Sequence, residues 1–419
     1  MFMKDHVTKQ ARRAKEASRK LAVMSGEMRN AALSAMADAL EARQDEILEV
    51  NDREVQAARE KSSVRLNMVD RMILTPQRIH DMAEGIRQVV KLPDPLDKVD
   101  FDITRPNGLK IRRARVPFGV VGIVYESRPN VTADAIALCL KSGNACILRG
   151  GSEVVRTNKK IVDIMREAAI AHGVPEKAIE FISILDRDAI VVMCRLRRLI
   201  DVIIPRGGAG LIARVIEHST VPVIETGTGV CHTFVDKSAD LDMALKICMN
   251  AKVQRPSVCN AMETLLIHRD IAEEFLPTIA RAMIDAKVEL RGDDDCRKIF
   301  PDMKEATDSD WSTEYNDLIL SVKIVDDLDA AISHINRYGT EHSESIVTGD
   351  EESAKKFQAF VDAAAVYVNA STRFTDGFEF GFGAEIGIST QKLHARGPMG
   401  LEALTTMKYL VDGDGQVRQ

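Results

Sequence analysis

Residues 116–151 read VPFGVVGIVYESRPNVTADAIALCLKSGNACILRGG, and this stretch decides the fold class. The apolar run Gly119–Tyr125 has the length of a strand, the Ala- and Leu-rich segment Thr132–Lys141 is typical of a helix, and Ala145–Arg149 is a second apolar strand. An uninterrupted apolar strand is typical of a parallel sheet whose two faces are covered by helices. The stretch therefore predicts an α/β protein.

The same alternation continues along the chain in two series. The first series is predicted to add strands and helices at Glu153–His172 (helix), Glu180–Ile184 (strand), Arg187–Leu196 (helix), Leu199–Ile204 (strand), Ala209–Glu217 (helix) and Val221–Ile224 (strand). The second series is predicted to contain helices between the strands His232–Val235, Thr264–Ile267, Ile319–Val325, Glu344–Val347 and Ala365–Asn369. We therefore expect two doubly wound α/β lobes, with the change from one to the other near residues 225–230.

The sequence before these lobes predicts helices followed by a β-hairpin. Residues 5–60 contain no proline and are rich in helix-forming residues, and a second helical stretch, Ser63–Lys91, is split at Thr75–Pro76, where the threonine would cap a new helix. Asn107–Gly108 between two β-like runs predicts a hairpin within residues 100–117. The basic residues of this hairpin fit either a solvated strand or an arm that contacts another subunit.

The composition excludes several classes of function. The chain has 419 residues, 45% of them hydrophobic and 29% charged, with a net charge of −6, which is typical of a globular protein and unsuited to general nucleic-acid binding. The charged N-terminal segment has no apolar segment behind it, and no run reaches the ~18 apolar residues of a membrane span. We expect a cytoplasmic protein with no membrane contact. The nine histidines form no HExxH motif, so no metal site is expected.

Two glycine loops follow predicted strands of the first lobe and open predicted helices. The first is Arg149-Gly150-Gly151-Ser152, and the second is Ile204-Pro-Arg-Gly207-Gly208-Ala-Gly210. Backbone N–H groups at such helix starts bind phosphates, although glycine serves tight turns equally well. Both loops would lie at the carboxyl edge of one parallel sheet, where α/β proteins bind ligands, and this favours a ligand site.

The seven cysteines contain no Cys-x-x-Cys pair and no zinc-type cluster, which favours a reducing compartment without disulfides. Cys231 follows a glycine-rich turn and is ambiguous, and Cys296 lies among aspartates that would raise the pKa of its thiol. Four others lie in apolar segments and are expected to be buried: Cys139, Cys146, Cys194 and Cys248. Cys259 lies in a polar loop near Arg255, where positive charge favours a nucleophilic thiolate, with an inert thiol as the alternative.

Two carboxylates precede apolar segments. Glu225 comes directly before the glycine-rich run Thr226–Gly229, and Glu314 precedes the strand Ile319–Val325. A carboxylate in a loop between two lobes is a candidate general base, but a glutamate at a surface turn is the more common case. The sequence pattern leaves both interpretations open.

Longer motifs in the same order resemble the aldehyde dehydrogenase superfamily. The motifs are Val116–Asn130, Lys141–Gly151, Gln254–Thr264, Val368–Ser389 and His394–Gly400. The resemblance covers nearly the whole chain and is strongest to the biosynthetic branch that reduces an acyl phosphate. It implies an aldehyde dehydrogenase-like fold of two doubly wound α/β lobes with a small β oligomerisation element.

The resemblance also implies a domain organisation. The expected parts are an NADP-binding domain (1–99 and 118–225), a catalytic domain (226–370), an oligomerisation hairpin and tail (100–117 and 399–419) and a segment that returns to the active site (371–398).

The catalytic residues that the resemblance implies are a nucleophile, an acid and an oxyanion-hole side chain. The nucleophile is Cys259, and the acidic residue before the second lobe is Glu225, 34 residues earlier in the chain. The superfamily's Pro-Trp-Asn-Phe-Pro motif is replaced by Tyr125–Pro129, so its oxyanion-hole asparagine has either Ser127 or Asn130 as a substitute.

Cofactor and substrate contacts follow from the same resemblance. Arg149 stands where the superfamily has a cofactor-contacting lysine, Gly207–Gly208 stands where it has a Gly-Ser helix start, and Glu314 matches its ribose-binding glutamate. Gly150 and Ser152 are expected to complete the cofactor loop. The residues expected to contact the substrate, together with Ser127, are Arg128, Ser371, Thr372, Arg373 and Asp376.

The implied reaction is the NADPH-dependent reduction of L-glutamyl 5-phosphate to L-glutamate 5-semialdehyde and phosphate through a thioester on Cys259, the second step of proline biosynthesis from glutamate. The resemblance also implies a homo-oligomer that is functionally coupled to glutamate 5-kinase. One alternative is an NAD(P)-dependent dehydrogenase that oxidises a semialdehyde, in which Glu225 activates the water that hydrolyses the thioester. Another is a catalytically silent binding module. Dependence on phosphate separates the two enzymes, and selective alkylation of Cys259 with protection by cofactor separates both from a binding module.

Overall fold

The computed structural model of the chain describes residues 2–60 and 66–418. Its helices are α1 (Phe2–Leu21), α2 (Gly26–Ala42), α3 (Gln44–Arg59), α4 (Leu66–Met72), α5 (Pro76–Lys91), α6 (Pro129–Lys141), α7 (Val155–Ala171), α8 (Asp188–Cys194), α9 (Ala209–His218), α10 (Leu241–Val253), α11 (Arg269–Asp285), α12 (Asp294–Ile299), α13 (Leu328–Tyr338) and α14 (Glu351–Phe360). Its strands are β1 (Val99–Thr104), β2 (Lys110–Pro117), β3 (Val120–Tyr125), β4 (Ala145–Arg149), β5 (Ile179–Phe181), β6 (Val202–Arg206), β7 (Cys231–Val235), β8 (Met262–His268), β9 (Glu289–Gly292), β10 (Lys304–Glu305), β11 (Ile319–Val325), β12 (Ser343–Val347), β13 (Ala365–Val368), β14 (Ile388–Ser389), β15 (Gly397–Pro398) and β16 (Thr405–Asp412).

The chain divides into two compact units. Unit 1 consists of Met1–Thr226, Gly381–Gly387 and Met399–Gln419, and unit 2 consists of Gly227–Phe380 and Ile388–Pro398. The division after Thr226 falls at the position where the sequence pattern predicts a change of lobe. The α/β alternation confirms the predicted fold class.

The main sheet of unit 1 is parallel, with its strands in the order β5, β4, β3, β6. The chain proceeds outward from β3 through β4 to β5 and then returns to the other side of β3. The strand order therefore reverses between β3 and β6, and the carboxyl edge at such a position is where open α/β sheets bind ligands. Every residue of β3 and of β4 is buried, as their uninterrupted apolar sequences predict.

The predicted strand Val221–Ile224 is wrong. This segment forms only a single bridge, between Ile203 and Val223. The Pro222 carbonyl accepts from the backbone N–H of Ile203, and the N–H of Ile224 donates to the Ile203 carbonyl, but Pro222 has no N–H of its own, so the pairing with β6 ends with these two bonds.

The helical N-terminal region is interrupted at two capping residues. Ser25 accepts a hydrogen bond from the backbone N–H of Met28 at 3.3 Å and starts α2. Thr75 accepts one from the backbone N–H of Arg78 at 3.1 Å and starts α5, as predicted. Part of the predicted stretch Ser63–Lys91, residues 63–65, lies outside the described residues.

The predicted hairpin is confirmed and has a third neighbour. Strands β1 and β2 are antiparallel around the turn that contains Gly108, which has φ +88°, and β16 pairs antiparallel with β2 along its whole length. Segments of unit 1 that lie far apart in the sequence thus share one sheet. In the described part of the chain no helix has the length and apolar character that a membrane crossing requires.

The main sheet of unit 2 is also parallel, with its strands in the order β10, β9, β11, β8, β7, β12, β13. Strands β7 and β8 begin side by side, with Cys231 opposite Met262. An apolar core under α10 and α11 includes Phe275, Leu276 and Ile279. The amino ends of β7 and β8 therefore hold the two loops that precede them in fixed positions.

Candidate active site

A cleft at the carboxyl edge of the unit 1 sheet has a volume of about 430 Å³. It is lined by the last residues of β3 and β4, by residues that follow these strands, by Arg187 directly before α8, and by residues of α8 and α9: Val124, Tyr125, Glu126, Ser127, Arg149, Gly151, Ser152, Glu153, Arg187, Ile190, Gly210, Leu211 and Arg214. It lies where the strand order reverses, which is the position at which open α/β sheets bind ligands. Of the predicted cofactor residues, the structure brings Arg149 and Ser152 into its wall.

Arg149 is held rigidly at the end of β4. Its side chain donates hydrogen bonds to the carbonyls of Gly150 and Leu185, the latter at 3.0 Å, and burial lowers its pKa. Gly150 cannot carry a side chain, because a Cβ there would lie 2.3 Å from Nδ2 of Asn158 and 3.0 Å from the Tyr125 ring. The loop therefore keeps a backbone path that brings the arginine into the cleft.

The second predicted glycine loop meets a carboxylate that sequence reasoning missed. Oε1 of Glu126 accepts a hydrogen bond from the backbone N–H of Gly208 at 3.0 Å, at the start of α9. A Cβ on Gly207 would lie 2.7 Å from Cδ of Glu126. The helix start thus holds a negative group, as its dipole and free N–H groups favour. The signal in the sequence was a charged residue directly after a fully apolar strand.

The other predicted residues of unit 1 differ in exposure. Ser127 is buried, and its hydroxyl donates to Oε2 of Glu153 at 2.7 Å. Asn130 is exposed on the first turn of α6, and its Nδ2 lies 3.4 Å from Oδ2 of Asp134. Arg128 precedes that helix and Glu225 comes before Thr226, and both are half-buried. The geometry within unit 1 leaves the choice between Ser127 and Asn130 open.

Cys259 differs from the other six cysteines in exposure. It is partly exposed, whereas the others are buried. Burial raises the pKa of Cys248 to about 12 and that of Cys231 well above its ordinary value. Burial, more than the nearby Asp293, raises the pKa of Cys296. These buried thiols stay protonated near neutral pH, so Cys259 is the thiol that solvent and ligands can reach.

The segment Gln254–Asn260, which we term the nucleophile loop after the role predicted for Cys259, is fixed by close backbone contacts. A Cβ on Gly229 would lie 1.5 Å from the carbonyl oxygen of Cys259, so only glycine fits there. The Cys231 thiol donates to the same carbonyl at 3.2 Å. Both neighbours come from the start of β7, and they fix the backbone of Cys259.

The segment after β13 folds against the nucleophile loop. Asn260 donates from Nδ2 to the carbonyls of Arg373 and Thr375 at 3.3 Å and 2.9 Å, and its own carbonyl accepts from the hydroxyl of Thr372 at 2.8 Å. Nε of Arg373 donates to Oε1 of Gln254 at 2.8 Å. The structure therefore brings residues more than 110 positions apart together around Cys259.

The remaining predicted residues of this segment have internal partners. The Ser371 hydroxyl accepts from the backbone N–H of Arg373 at 3.3 Å, and Oδ1 of Asp376 accepts from that of Phe378 at 2.9 Å. Thr372 is fully buried, so its hydroxyl supports the nucleophile loop. Sequence reasoning missed the supporting roles of Gln254 and Asn260, although both belong to the motif around Cys259.

Glu314 is joined to the same loop through Gly229. Its Oε1 accepts a hydrogen bond from the backbone N–H of Gly229 at 2.9 Å. Sequence reasoning also missed the buried ion pair of Lys252 and Glu263, whose Nζ and Oε2 lie 2.6 Å apart, both side chains being 0% exposed. These two residues flank the nucleophile loop, so the pair links its two ends.

The fold and these two sites define the class of protein. The aldehyde dehydrogenase family model matches residues 2–298, which is more than half of the chain, and the chain belongs to this family. Among the described residues, no cluster of His, Cys, Asp and Glu could hold a metal ion. Family membership implies a nicotinamide cofactor and a small-molecule substrate.

Similarity to particular proteins is closer still. The chain is 57% identical over 413 residues to a protein of Moorella thermoacetica named gamma-glutamyl phosphate reductase, with 99% of each chain covered. A protein of Carboxydothermus hydrogenoformans with the same name is 57% identical over 414 residues, covering 99% of this chain and 100% of the relative. The crystal structure of gamma-glutamyl phosphate reductase from Thermotoga maritima superposes with a TM-score of 0.97 at 50% identity, covering 99% of this chain and 100% of that one. These matches confirm the resemblance drawn from the motifs.

Proposed function

We propose that this protein reduces L-glutamyl 5-phosphate to L-glutamate 5-semialdehyde and phosphate with NADPH, through a thioester on Cys259, as the second step of proline biosynthesis from glutamate. The observation that carries the proposal is that Cys259 is the one partly exposed cysteine and lies on a loop fixed from both sides. The names of the relatives support the same reaction.

The chemistry follows from a fixed thiol. The sulfur of Cys259 attacks the acyl carbon, the C–O bond to phosphate breaks, and its electron pair leaves with phosphate. Holding the sulfur in place supplies part of the catalysis, because the reacting atoms need not find each other in solution. After reduction the thiohemiacetal collapses to the aldehyde and the free thiol. The backbone N–H of Cys259, with Ser127 or Asn130, is the proposed donor to the oxyanion, and Glu225 is the proposed proton-transfer residue.

The cleft in unit 1 fits a nicotinamide dinucleotide. Arg149 and Ser152 line it, and the N–H of Gly208 at the start of α9 already meets a carboxylate, which indicates that this helix start accepts negative charge. Gly150 and Gly207 keep the backbone close, and Arg149 with Arg187 and Arg214 would favour the extra phosphate of NADPH over NADH. When bound, the cofactor supplies the hydride that reduces the thioester.

The substrate's charged groups need polar partners. Arg128, Arg373 and Asp376 are the proposed contacts, because guanidinium and carboxylate groups match the carboxylate, phosphate and amino groups of a glutamyl phosphate. Ser371 and Thr372 are proposed to act with them, through the backbone that they support. Glu314 is proposed to bind the ribose of the cofactor, and its Oε1 also accepts the hydrogen bond from the backbone N–H of Gly229.

The proposed function is tested by running the reaction in the reverse direction, from the semialdehyde to the acyl phosphate. Glutamate 5-semialdehyde, NADP⁺ and inorganic phosphate are mixed with the enzyme, and NADPH formation is followed by absorbance. We expect formation to require phosphate, and replacement of Cys259 by alanine to lower the rate by about 10³-fold or more. The matched control, Cys248→Ala, removes a buried thiol and should keep its turnover. NADPH formation without phosphate would instead indicate hydrolysis of the thioester, and full activity of Cys259→Ala would exclude the covalent route.

The assembly and partners are part of the same proposal. We infer a homo-oligomer formed through the sheet of β1, β2 and β16, because this sheet exposes Val99, Phe101, Tyr409 and Val411, at 38–59% of their surface. Functional coupling to glutamate 5-kinase is proposed because an acyl phosphate must be supplied by phosphorylation of a carboxylate. The cytoplasm is the proposed location, and seven cysteines without a disulfide fit a reducing compartment. Light scattering after gel filtration tests the oligomer, and Tyr409→Glu should weaken it.

A further inference from the structure

Two arginines lie in or against the nucleophile loop. Arg255 belongs to the loop itself, and Arg373 lies in the short 3₁₀ turn Thr372–Phe374 that packs against it. The Arg373 backbone carbonyl accepts from Asn260, next to the nucleophile, and its Nε donates to Gln254, at the other end of the loop. Arg373 is therefore tied to the loop at both ends, through its backbone at Asn260 and through its guanidinium at Gln254.

Among the described residues, no carboxylate lies close enough to either arginine to form an ion pair. Within residues 2–60 and 66–418, neither Arg255 nor Arg373 has an Asp or Glu oxygen within 4 Å, whereas Arg269 and Arg291 of the same unit each pair with two carboxylates. Asp376 acts on Arg373 only from a greater distance. With Nε bound to Gln254, Arg373 keeps its two terminal nitrogens for a ligand.

Both Arg255 and Cys259 act electrostatically on the Arg373 guanidinium. Burial lowers its pKa most, the positive charge of Arg255 lowers it further, and negative charge on Cys259 raises it. Two like charges held beside a nucleophile without a counter-ion are the arrangement of an anion site, because guanidinium groups bind phosphate through paired hydrogen bonds.

We propose that Arg255 and Arg373 bind the phosphate group of the acyl phosphate and hold it as it leaves. This inference rests on the proposed function and adds which group of the substrate these two residues contact. Two cations match a phosphate dianion. Arg255 lies on the nucleophile loop and Arg373 packs against it, so both lie next to the segment that carries the attacking sulfur, whereas the substrate's α-carboxylate lies at the far end of its carbon chain. When the sulfur of Cys259 forms its bond to the acyl carbon, the C–O electron pair stays with phosphate, which takes up the thiol proton and leaves as hydrogen phosphate.

The test varies inorganic phosphate in the reverse reaction. Arg255→Met and Arg373→Met should each raise the KM for phosphate by about tenfold or more, while the KM for glutamate 5-semialdehyde changes less than about threefold. Arg373→Lys, which keeps the charge but loses the planar fork, should fall between wild type and Arg373→Met. The control Arg269→Met removes an exposed, paired arginine of the same unit and should leave both constants unchanged.

A second measurement needs no turnover. The measured quantity is the ratio of two alkylation rates of Cys259, the rate with anionic iodoacetate divided by the rate with neutral iodoacetamide. A change in the thiolate fraction affects both rates equally and cancels in this ratio. The ratio should fall at least about threefold in each arginine variant, and added inorganic phosphate should lower it in wild type only.

Three outcomes would overturn the proposal. The first is a raised KM for the semialdehyde with an unchanged KM for phosphate, which would assign the arginines to the α-carboxylate. The second is an unchanged alkylation ratio in both variants. The third is a wild-type reaction that ignores phosphate, and this result alone would refute the proposed function itself, so the two failures are distinguishable.

Discussion

Replacing Lys252 by methionine should destabilise the protein strongly, because the change leaves the Glu263 carboxylate buried without its cation. Both side chains are 0% exposed, and Nζ and Oε2 lie 2.6 Å apart. Removing one partner of a buried ion pair costs about 3–5 kcal/mol of unfolding free energy, whereas replacing both partners by apolar residues of similar size is often neutral. We therefore expect Lys252→Met to lose about 3–5 kcal/mol and the double variant Lys252→Met/Glu263→Met to recover most of it.

The loss should also depend on pH in a defined direction. Burial raises the pKa of Glu263 to about 7 and lowers that of Lys252. Without Lys252, which holds the carboxyl's pKa down, the folded-state pKa of Glu263 moves further above its unfolded value of about 4.3. A group with a raised folded-state pKa stabilises the folded protein fully below its unfolded pKa, and this stability is lost as pH rises through the folded pKa. Above pH 7 the variant should therefore lose up to about 1.4 kcal/mol per pH unit relative to wild type.

The assay is urea unfolding of the full chain, followed by circular dichroism at pH 7 and pH 8.5. The matched control is Lys298→Met, which breaks an exposed pair with Asp295, 2.7 Å long, and should cost less than about 1 kcal/mol. The double variant loses one acceptor, since Oε1 of Glu263 accepts from the backbone N–H of Asn316 at 3.2 Å, so a residual cost of about 1 kcal/mol is expected. A double variant less stable than Lys252→Met, or a single variant as mild as the control, would refute the reasoning.

Three further changes test other parts of the structure. Gly229→Ala places a Cβ 1.5 Å from the carbonyl oxygen of Cys259, so the nucleophile loop must shift. Alkylation of Cys259 by iodoacetamide should then be slower, and kcat should fall by about 10²-fold. An unchanged alkylation rate would contradict the contact. Gly150→Ala places a Cβ 2.3 Å from Nδ2 of Asn158 in unit 1, so the KM for NADPH should rise about tenfold while that alkylation rate stays constant. Burial lowers the pKa of His334 to about 3, so the stability that this neutral histidine contributes above pH 6.5 is lost as the pH falls towards 3. Between pH 7 and pH 5, His334→Phe should therefore lose less unfolding free energy than wild type. Equal losses would show that His334 does not govern acid sensitivity.

Local sequence patterns predicted the elements of the fold well where one residue type decides the structure. Thr75 before a proline marks the start of α5, and the apolar runs of β3 and β4 mark buried parallel strands. The same patterns misjudged Val221–Ile224, where apolar residues indicated a strand but Pro222 has no N–H to extend the pairing beyond the two bonds that flank Val223.

For the candidate site, the sequence singled out Cys259 from seven cysteines, because its loop is polar and the other contexts are apolar, ambiguous or acidic. The supporting residues were not predictable in this way. Gly229, Asn260 and the Lys252–Glu263 pair have ordinary neighbours in the sequence, and their roles arise from contacts made by folding.

The sequence by itself determined the alternating elements, the capped helix starts and the choice of Cys259 as the candidate nucleophile, because each depends on neighbouring residues and their polarity. Only the tertiary structure decided that β16 lies beside β2, that Glu126 meets the start of α9, and that Arg373 lies against the nucleophile loop. These contacts join positions from 82 residues apart, for Glu126 and Gly208, to 302 residues apart, for Lys110 and Asp412. They follow from the packing of whole sheets and helices, and no local pattern of polarity or spacing encodes them.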